Sequence, residues 1–505
     1  MIIAHDLGTT GDKASLHEED GVLRAAVTVR YGSYFADGGI AEQDPEDWVR
    51  AVVEATGRLL AESGVDPSAV QAMSFSGQMM GAVFLDREHR PVTRAMIWAD
   101  TRSGAQSRRL VERVGMERGY RITGHRLNPT YSLTKVMWLA EERPELFGRT
   151  RHVCLAKDYV VHRLTGRLVT DPSDASSTNA FDQRAGVWST EILDAAGVPV
   201  ELFPEVVPST EVVGALRPEM ADRLGLSRRV RVVLGGGDGP MAALGTGILD
   251  PEDGAYAYLG TSSWVSMAAP EPLHDPQMRT MSFTHVVPGR FVPTATMQTG
   301  GGSFEWIADV LDPSEDGRRF DRLVAEAETA AASSEGLYFL PHLLGERSPY
   351  WNPDARAAFV GLARHHTRAH LVRAVLEGVA FNLLTCLDAF REAGREVTRV
   401  EAIGGGARSD AWLQILADVW GVTVRRRTIV EEGNSLGAAV VAAVGSGTLG
   451  GFGAARRLSD PLAVVEPDGD RHRAYRARHR LFVDAYQRLE PWFGSLGRAT
   501  TRGAR

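Results

Sequence analysis

Cysteine and lysine are nearly missing from this 505-residue sequence. Cys154 and Cys386 are the two cysteines, too few for a disulfide framework or a cysteine-rich metal site, and their scarcity suits a reducing compartment. Lys13, Lys135 and Lys157 are the three lysines among 56 basic residues, the rest being arginine. None of the three follows a glycine, so the Gly-Lys-Ser/Thr of a P-loop is absent. Positive charge is not in excess either: a formal net charge of −8 argues against a nucleic-acid partner. No apolar run approaches the ~18 residues of a membrane span. The opening MIIAHDLG also lacks the basic start and apolar core of a signal peptide. These absences predict a cytoplasmic protein that engages neither membrane nor nucleic acid.

What is present is ordinary globular material, 44% hydrophobic and 24% charged, in a chain too long for one core, so two large domains or three modest ones are expected. Short apolar stretches alternate with helical patterns, the rhythm of an α/β protein. In QDPEDWVRAVVEATGRLLAESG, Asp44 is placed to cap and Pro45 to occupy the first helical position. Trp48, Val52, Ala55 and Leu59 share one face of that helix, and Gly64 ends it. Further helices are expected at 103–118, 155–164, 303–311, 367–393 and 409–420, and strands at AVFLD, YAYLG and FVPTAT. The tail LGRATTRGAR reads as a polar, mobile end.

An internal echo is more informative. AHDLGTTGDKASL near the amino terminus matches AYAYLGTSSWVSM about 250 residues later, each an apolar strand, a glycine turn with two hydroxyls and a return strand. This predicts a duplicated domain, 1–245 and 246–505, around a central cleft. Such turns offer backbone N–H groups and hydroxyls to polyphosphate oxygens. Asp6 precedes the first turn where Tyr258 precedes the second, so the copies differ chemically. A lone carboxylate beside a triphosphate suits Mg²⁺.

A third cluster, VEAIGGGARSDAWLQILADVWG, opens a helix capped by Ser409 or Asp410, and its glycines would let a flat ring approach the backbone. In RVRVVLGGGDGPMAALG, Gly237, Gly239 and Ala242 satisfy a dinucleotide fingerprint, which would mark an oxidoreductase. The context fails, because the next strand ends in Gly260-Thr261 and not in an acidic ribose ligand. If the glycines instead clear space for two substrates, Asp238 faces their meeting point as a base for an attacking hydroxyl.

From Asp6 to about residue 445 the chain resembles the FGGY carbohydrate kinases, which share the actin, hexokinase and Hsp70 fold. AAFVGLARHHTRAHLVRAVLE (357–377) is similar to that family's second signature, with Gly361-Leu362, His370-Leu371 and Ala374 through Glu377 in place. LYFLPHLLGERSPYWNPDAR, YSLTKVMWL and AKDYVVHRLTG are similar too, and with Lys13 in the first hairpin all three lysines fall in family motifs. The resemblance implies two actin-like (ribonuclease H-like) α/β domains and phosphorylation of a sugar or polyol by ATP with Mg²⁺. It makes Asp238 the catalytic base and Asp6, through water, a metal-holding residue, with Asp238 beside the same ion. Thr9, Thr10, Lys13, Gly260, Thr261 and Ser262 would cradle phosphates. Gly302, Gly405, Gly406, Ala407 and Asp410 would line the nucleotide pocket.

Gln78, Met79, Met80, Trp98, Asp100 and Arg102 would form the acceptor pocket, although by residue type alone the Met and Trp side chains read as core and Asp100–Arg102 as an ion pair. The xylulokinase branch reads Gly-Gln-Met-His-Gly where this chain has Gly-Gln-Met-Met-Gly, and some members place asparagine after the base where Gly239 stands. A ketopentose such as D-xylulose, phosphorylated at its 5-position, is the acceptor this implies; gluconate, ribulose, glycerol or another polyol are alternatives. A nucleotide-driven switch of the actin or Hsp70 type is the reading from another class. The implied partners are a small sugar or polyol and a second copy of the chain, as a homodimer.

Overall fold

The computed structural model describes residues 1–502 apart from 20, 315, 317, 429–432 and 459. Two mixed sheets carry the architecture. The first contains β1 (Ile2–Leu7), β2 (Gly11–His17), β3 (Leu23–Arg30), β4 (Ala72–Gly77), β5 (Val212–Ala215) and β6 (Arg231–Val233), in the order β5-β6-β4-β1-β2-β3. The second contains β7 (Ala255–Leu259), β8 (Ser263–Met267), β9 (Met281–Thr284), β10 (Phe291–Met297), β11 (Arg399–Ile403), β12 (Thr423–Arg427) and β13 (Pro461–Val465), in the order β9-β10-β8-β7-β11-β12-β13. In both, a strand pairs antiparallel with the next across a glycine turn, and that return strand pairs antiparallel with a third. On its other edge the first strand pairs parallel with a later one, to which a further parallel strand is added. The duplication expected from the two LGT turns is therefore a duplication of sheet topology.

The helices follow from local signals where these are strong. In α1 (Pro45–Ser63) the Asp44 carboxylate accepts from the Glu46 N–H at 3.0 Å, Gly64 closes the helix at φ 65°, and Trp48, Val52, Ala55 and Leu59 are buried. The helix expected over 103–118 is instead two, Gly104–Val114 and Met116–Thr123, because Gly115 takes φ 84°, which no right-handed helix contains. The second half supplies α5 (Gly301–Leu311), α6 (Arg368–Glu392) and α7 (Asp410–Trp420), with Ser409 and not Asp410 as the cap of α7. The polar tail is the end of a long helix, Gly469–Arg502, with 503–505 outside the described residues.

Among the described residues α6 alone has the length and hydropathy of a membrane span, but 78% of its apolar window is buried, in the core beneath the second sheet. It is apolar all round because it is packed all round.

Two helices join the halves. α4 (Asp238–Gly245) follows the glycine turn of the opening motif, and α8 (Gly433–Gly445), a helix the sequence reading did not identify, crosses it at backbone contact. A Cβ on Gly245 would lie 1.8 Å from the Gly433 carbonyl oxygen, and one on Gly437 would lie 2.2 Å from that of Met241. α8 comes from the second half yet packs on β1 and β4 of the first sheet, sharing its core with Ile2, Ala4, Ala72 and Val233. Ala242 and Ala243 of α4 face the other way, toward Tyr256, Met281 and Ile403 of the second sheet region.

Candidate active site

Asp6 lies near the carboxyl end of β1, directly opposite Lys13 of β2. Its carboxylate accepts from the Ser76 hydroxyl at 2.8 Å and from Asn434 Nδ2, at the start of α8, at 3.2 Å. Burial raises its pKa; those two hydrogen bonds and the Lys13 charge act against the rise. In the following turn the Thr9 hydroxyl accepts from Trp98 Nε1 at 2.9 Å, while Thr10 is exposed. The second turn has Thr261 exposed and Ser262 half-buried. The backbone N–H groups of Gly300, Gly301 and Gly302 close onto the carbonyls of Gly260 and Thr261 at 2.7–3.1 Å, so the second hairpin turn and the amino terminus of α5 form one ledge. Beside it, Gly404 (φ 87°) packs under Leu259, which brings the third glycine turn to the same strand end.

Asp238 is the first residue of α4. The glycines before it are required by protein neighbours and not by substrates. A Cβ on Gly235, at φ 82°, would strike the Phe75 carbonyl at 1.9 Å. One on Gly236 would meet Ser173 Oγ at 2.7 Å, and one on Gly237 would meet Met79 at 2.6 Å. Only Gly239 is nearly open, its closest neighbour being Met79 Sδ at 4.0 Å. The expectation that this cluster clears room for two ligands is corrected accordingly: three glycines seat the turn against β4, and Gly239 faces the cavity. Burial and then the Asp6 charge push the Asp238 pKa up to about 7. Its Oδ1 accepts from its neighbour's N–H, that of Gly239, at 2.8 Å.

A cavity of about 240 Å³ opens in front of Asp238, between the two halves. Thr9, Met79, Met80, Trp98 and Asp238 line it from the first half, and Tyr258, Ser262, Trp264, Met281, Phe283, Thr294, Thr296 and Arg347 from the second. Tyr258 and Trp264 stack with ring centres 4.2 Å apart. Trp264 Nε1 donates to the Tyr256 hydroxyl at 3.0 Å, which donates to the Gly239 carbonyl at 3.0 Å. The aromatic wall is thereby tied to the helix start that carries Asp238. Met80, at φ 65°, has its carbonyl held by the buried Lys135 ammonium at 3.2 Å, with the carbonyls of Pro129 and Thr130 as the other acceptors. Burial lowers the Lys135 pKa to about 7.

Three residues expected at the acceptor lie outside this lining. Gln78 is buried behind the first turn, donating to Gln43 at 2.7 Å and weakly to the Gly8 carbonyl at 3.5 Å. Asp100 is fully buried, accepting from the Ala41 N–H at 2.8 Å and from both Nε and Nη2 of Arg102, which also reaches Glu42 at 2.7 Å. The ion-pair reading of Asp100–Arg102 is what the geometry supports. On the nucleotide side Gly405 faces open space, but Gly406 packs on Trp412, Ala407 is buried, and the exposed Asp410 carboxylate pairs with Arg426 at 2.8 Å. His370 of the signature stretch caps α6 through Thr367.

Arg347 and Asn434 were missed. Arg347 lies in the GERSPYW stretch already noted, yet nothing in its spacing says that its guanidinium enters the cavity, 5.7 Å from the Trp98 ring centre. Its Nε is buried without a hydrogen-bond partner, and the adjacent Glu346 carboxylate is taken by His342, Asn382 and the Gln298 N–H. Asn434 carries no sequence signal at all.

Comparison with known proteins agrees with this geometry. A family model described as "FGGY family of carbohydrate kinases, N-terminal domain" matches residues 1–245, and its C-terminal counterpart matches 255–446. The xylulose kinase of Escherichia coli is 35% identical over 97% of this chain and 99% of its own length. Two solved structures from Lactobacillus acidophilus, a gluconate kinase and a ligand-bound xylulose kinase, each superpose with a TM-score of 0.92 at 27% identity, covering 98% of this chain and 99% of theirs. With a duplicated actin-like fold, paired hairpin turns and an aspartate at the mouth of a shared cavity, the chain belongs to the FGGY family of carbohydrate kinases and is xylulokinase-like, an ATP-dependent phosphotransferase acting on a hydroxyl of a sugar or polyol.

Proposed function

We propose that the chain transfers the γ-phosphoryl group of ATP to the 5-hydroxyl of a ketopentose, D-xylulose, with the acceptor held mainly by residues 1–245 and the nucleotide mainly by 246–505. The observation that carries this is Asp238, with a pKa near 7, at a cavity walled by both halves. Asp238 takes the proton of the acceptor hydroxyl as its oxygen bonds to the γ-phosphorus, and the bond to the β–γ bridging oxygen breaks to leave ADP. In a loose transition state its larger service is orientation. Trp98, Tyr258 and Trp264 present flat faces to the sugar. Thr9, Thr10, Lys13, Gly260, Thr261, Ser262 and Gly302 surround the phosphates, and Gly405 admits the base or ribose.

The Asp6 charge raises the proton affinity of Asp238, and two carboxylates so placed are a donor set that fits Mg²⁺. When bound, the ion neutralises charge on the transferred phosphoryl group. Closure of the halves excludes water that would otherwise accept the phosphate. The free, buried thiols Cys154 and Cys386 fit a cytoplasmic site of action.

Asp238→Ala should lower acceptor-dependent ADP release by about 10²–10⁴-fold; unchanged release would rule out the role assigned. A panel of D-xylulose, ribulose, gluconate and glycerol identifies the acceptor. Arg347 favours a second reading within that panel, because a guanidinium with no carboxylate partner among the described residues suits the acid group of gluconate. ATP turnover indifferent to every polyol would point to a nucleotide-driven switch instead.

A further inference from the structure

Two of the three lysines are fully buried, and one of them stands behind the Asp238 turn. Lys157, in α2 (Ala156–Thr165), has its Nζ 2.7 Å from Asp158, 3.3 Å from Asp171 and 3.4 Å from Asp174, all fully buried. Burial alone would lower the Lys157 pKa; the three carboxylates overcome this and hold it up. Burial raises the Asp174 pKa well above the usual carboxylate range and also raises that of Asp158, with the Lys157 charge acting against both rises. A dry cluster of four ionisable groups is expensive, and an apolar replacement of the same volume is often at least as stable. Stability alone therefore does not account for it.

Its hydrogen bonds lead to the site. Asp171, just before α3 (Pro172–Ser176), has its Oδ2 accepting from the Ser173 hydroxyl at 2.5 Å and from the Ser209 hydroxyl at 2.7 Å. The Ser173 oxygen, its proton committed to Asp171, accepts from the Gly237 N–H at 2.9 Å, and the Ser209 carbonyl accepts from the Gly235 N–H at 2.9 Å. Both serines that hold the glycine turn thus end on one carboxylate oxygen, and Lys157 faces that carboxylate. A Cβ on Gly236 would also reach Asp171 Oδ2, at 3.2 Å, so the turn rests on the hub with no slack.

We propose that Lys157 and Asp171 are positioning residues which, through Ser173 and Ser209, hold Gly235–Gly237 so that Asp238 is aimed at the acceptor hydroxyl. The inference rests on Asp238 being the group that receives the acceptor proton. Loss of the Ser173 hydroxyl frees the Gly237 N–H and lets the turn shift. Loss of the Lys157 ammonium leaves three carboxylates in one dry space, so that one of them takes up a proton and the serine donors lose their fixed direction. A displacement on the order of 1 Å is enough to cost about 10²-fold in transfer. ATP is proposed to bind mainly at other turns, so the loss falls chiefly on transfer.

The test compares ADP release with and without acceptor in Ser173→Ala, Lys157→Met and Asp238→Ala. Ser173→Ala removes no charge and keeps the experiment decisive should Lys157→Met fail to fold. Ser173→Ala is expected to lower acceptor-dependent release by about 10–10²-fold while acceptor-independent release and the KM for ATP stay within about twofold, so their ratio falls. A purely structural role would reduce both activities in proportion and leave the ratio at the wild-type value, which overturns the proposal. Acceptor-dependent release retained by Asp238→Ala would overturn the proposal together with the reading beneath it. Release lost in Asp238→Ala with an unchanged ratio in Ser173→Ala would overturn this proposal alone.

Discussion

In the role proposed for it, Asp238 must be unprotonated to take up a proton from the acceptor, and burial together with Asp6 delays that until the neutral range. kcat/KM for the acceptor should therefore rise with pH through about 7, since that ratio reports the free enzyme. The same shift has a stability consequence of defined sign. The folded pKa lies above the unfolded value of about 3.9, so the buried carboxylate costs stability that grows as pH rises from about 4 to about 7. Asp238→Asn should accordingly raise the Tm at pH 8, with the gain fading toward pH 4 in a thermal scan. Arg102 gives a contrasting case. Its bonds go to Asp100 and Glu42 and not into the cavity, so Arg102→Met should cost about 3 kcal/mol of stability and leave the acceptor KM within about twofold. Met79, Met80 and Trp98 were legible as pocket residues because family motifs bracket them. Gln78, Asp100 and Arg102 belong to the same motifs, and residue type cannot distinguish a polar group aimed at a ligand from one paired inside the protein, as Asp100 is with the Ala41 N–H and Arg102 with Glu42.

At the scale of elements, α1 could be read from its cap, its apolar stripe and its terminal glycine, all of them local. α8 could not, since GNSLGAAVVAAVG has no polar face to mark a period, and its reason for being helical is its contact with α4. Gly245 and Gly437 let these helices touch backbone to backbone. Gly245→Ala would drive a methyl group into the Gly433 carbonyl at 1.8 Å, and neither helix can retreat from the sheets it covers. A loss of at least about 2 kcal/mol is expected, seen as a lower Tm or as insoluble expression; a wild-type Tm would show that the crossing has slack.

At the scale of the whole molecule, two polar contacts from the second half reach the site: Asn434 donates to the Asp6 carboxylate, and the Tyr256 hydroxyl donates to the Gly239 backbone carbonyl beside Asp238. Asn434→Ala removes the first. Small-angle scattering of the unliganded variant should show a larger radius of gyration than wild type, with a raised KM for ATP and the fold intact by circular dichroism. An unchanged radius would mean that the α4–α8 crossing alone sets the opening.

From sequence alone came the two glycine hairpins, their duplication, and the bounds of α1, α5, α6 and α7 to within about two residues. Each of these is written in neighbouring residues, through backbone torsions, caps and periodicity. Tertiary structure decided why Gly235–Gly237 are bare, that α8 crosses to the first sheet, that Arg347 enters the cavity, and that Lys157 stands behind the turn before Asp238. Those facts depend on which atoms from remote segments come to share a dry volume, and no local spacing specifies that.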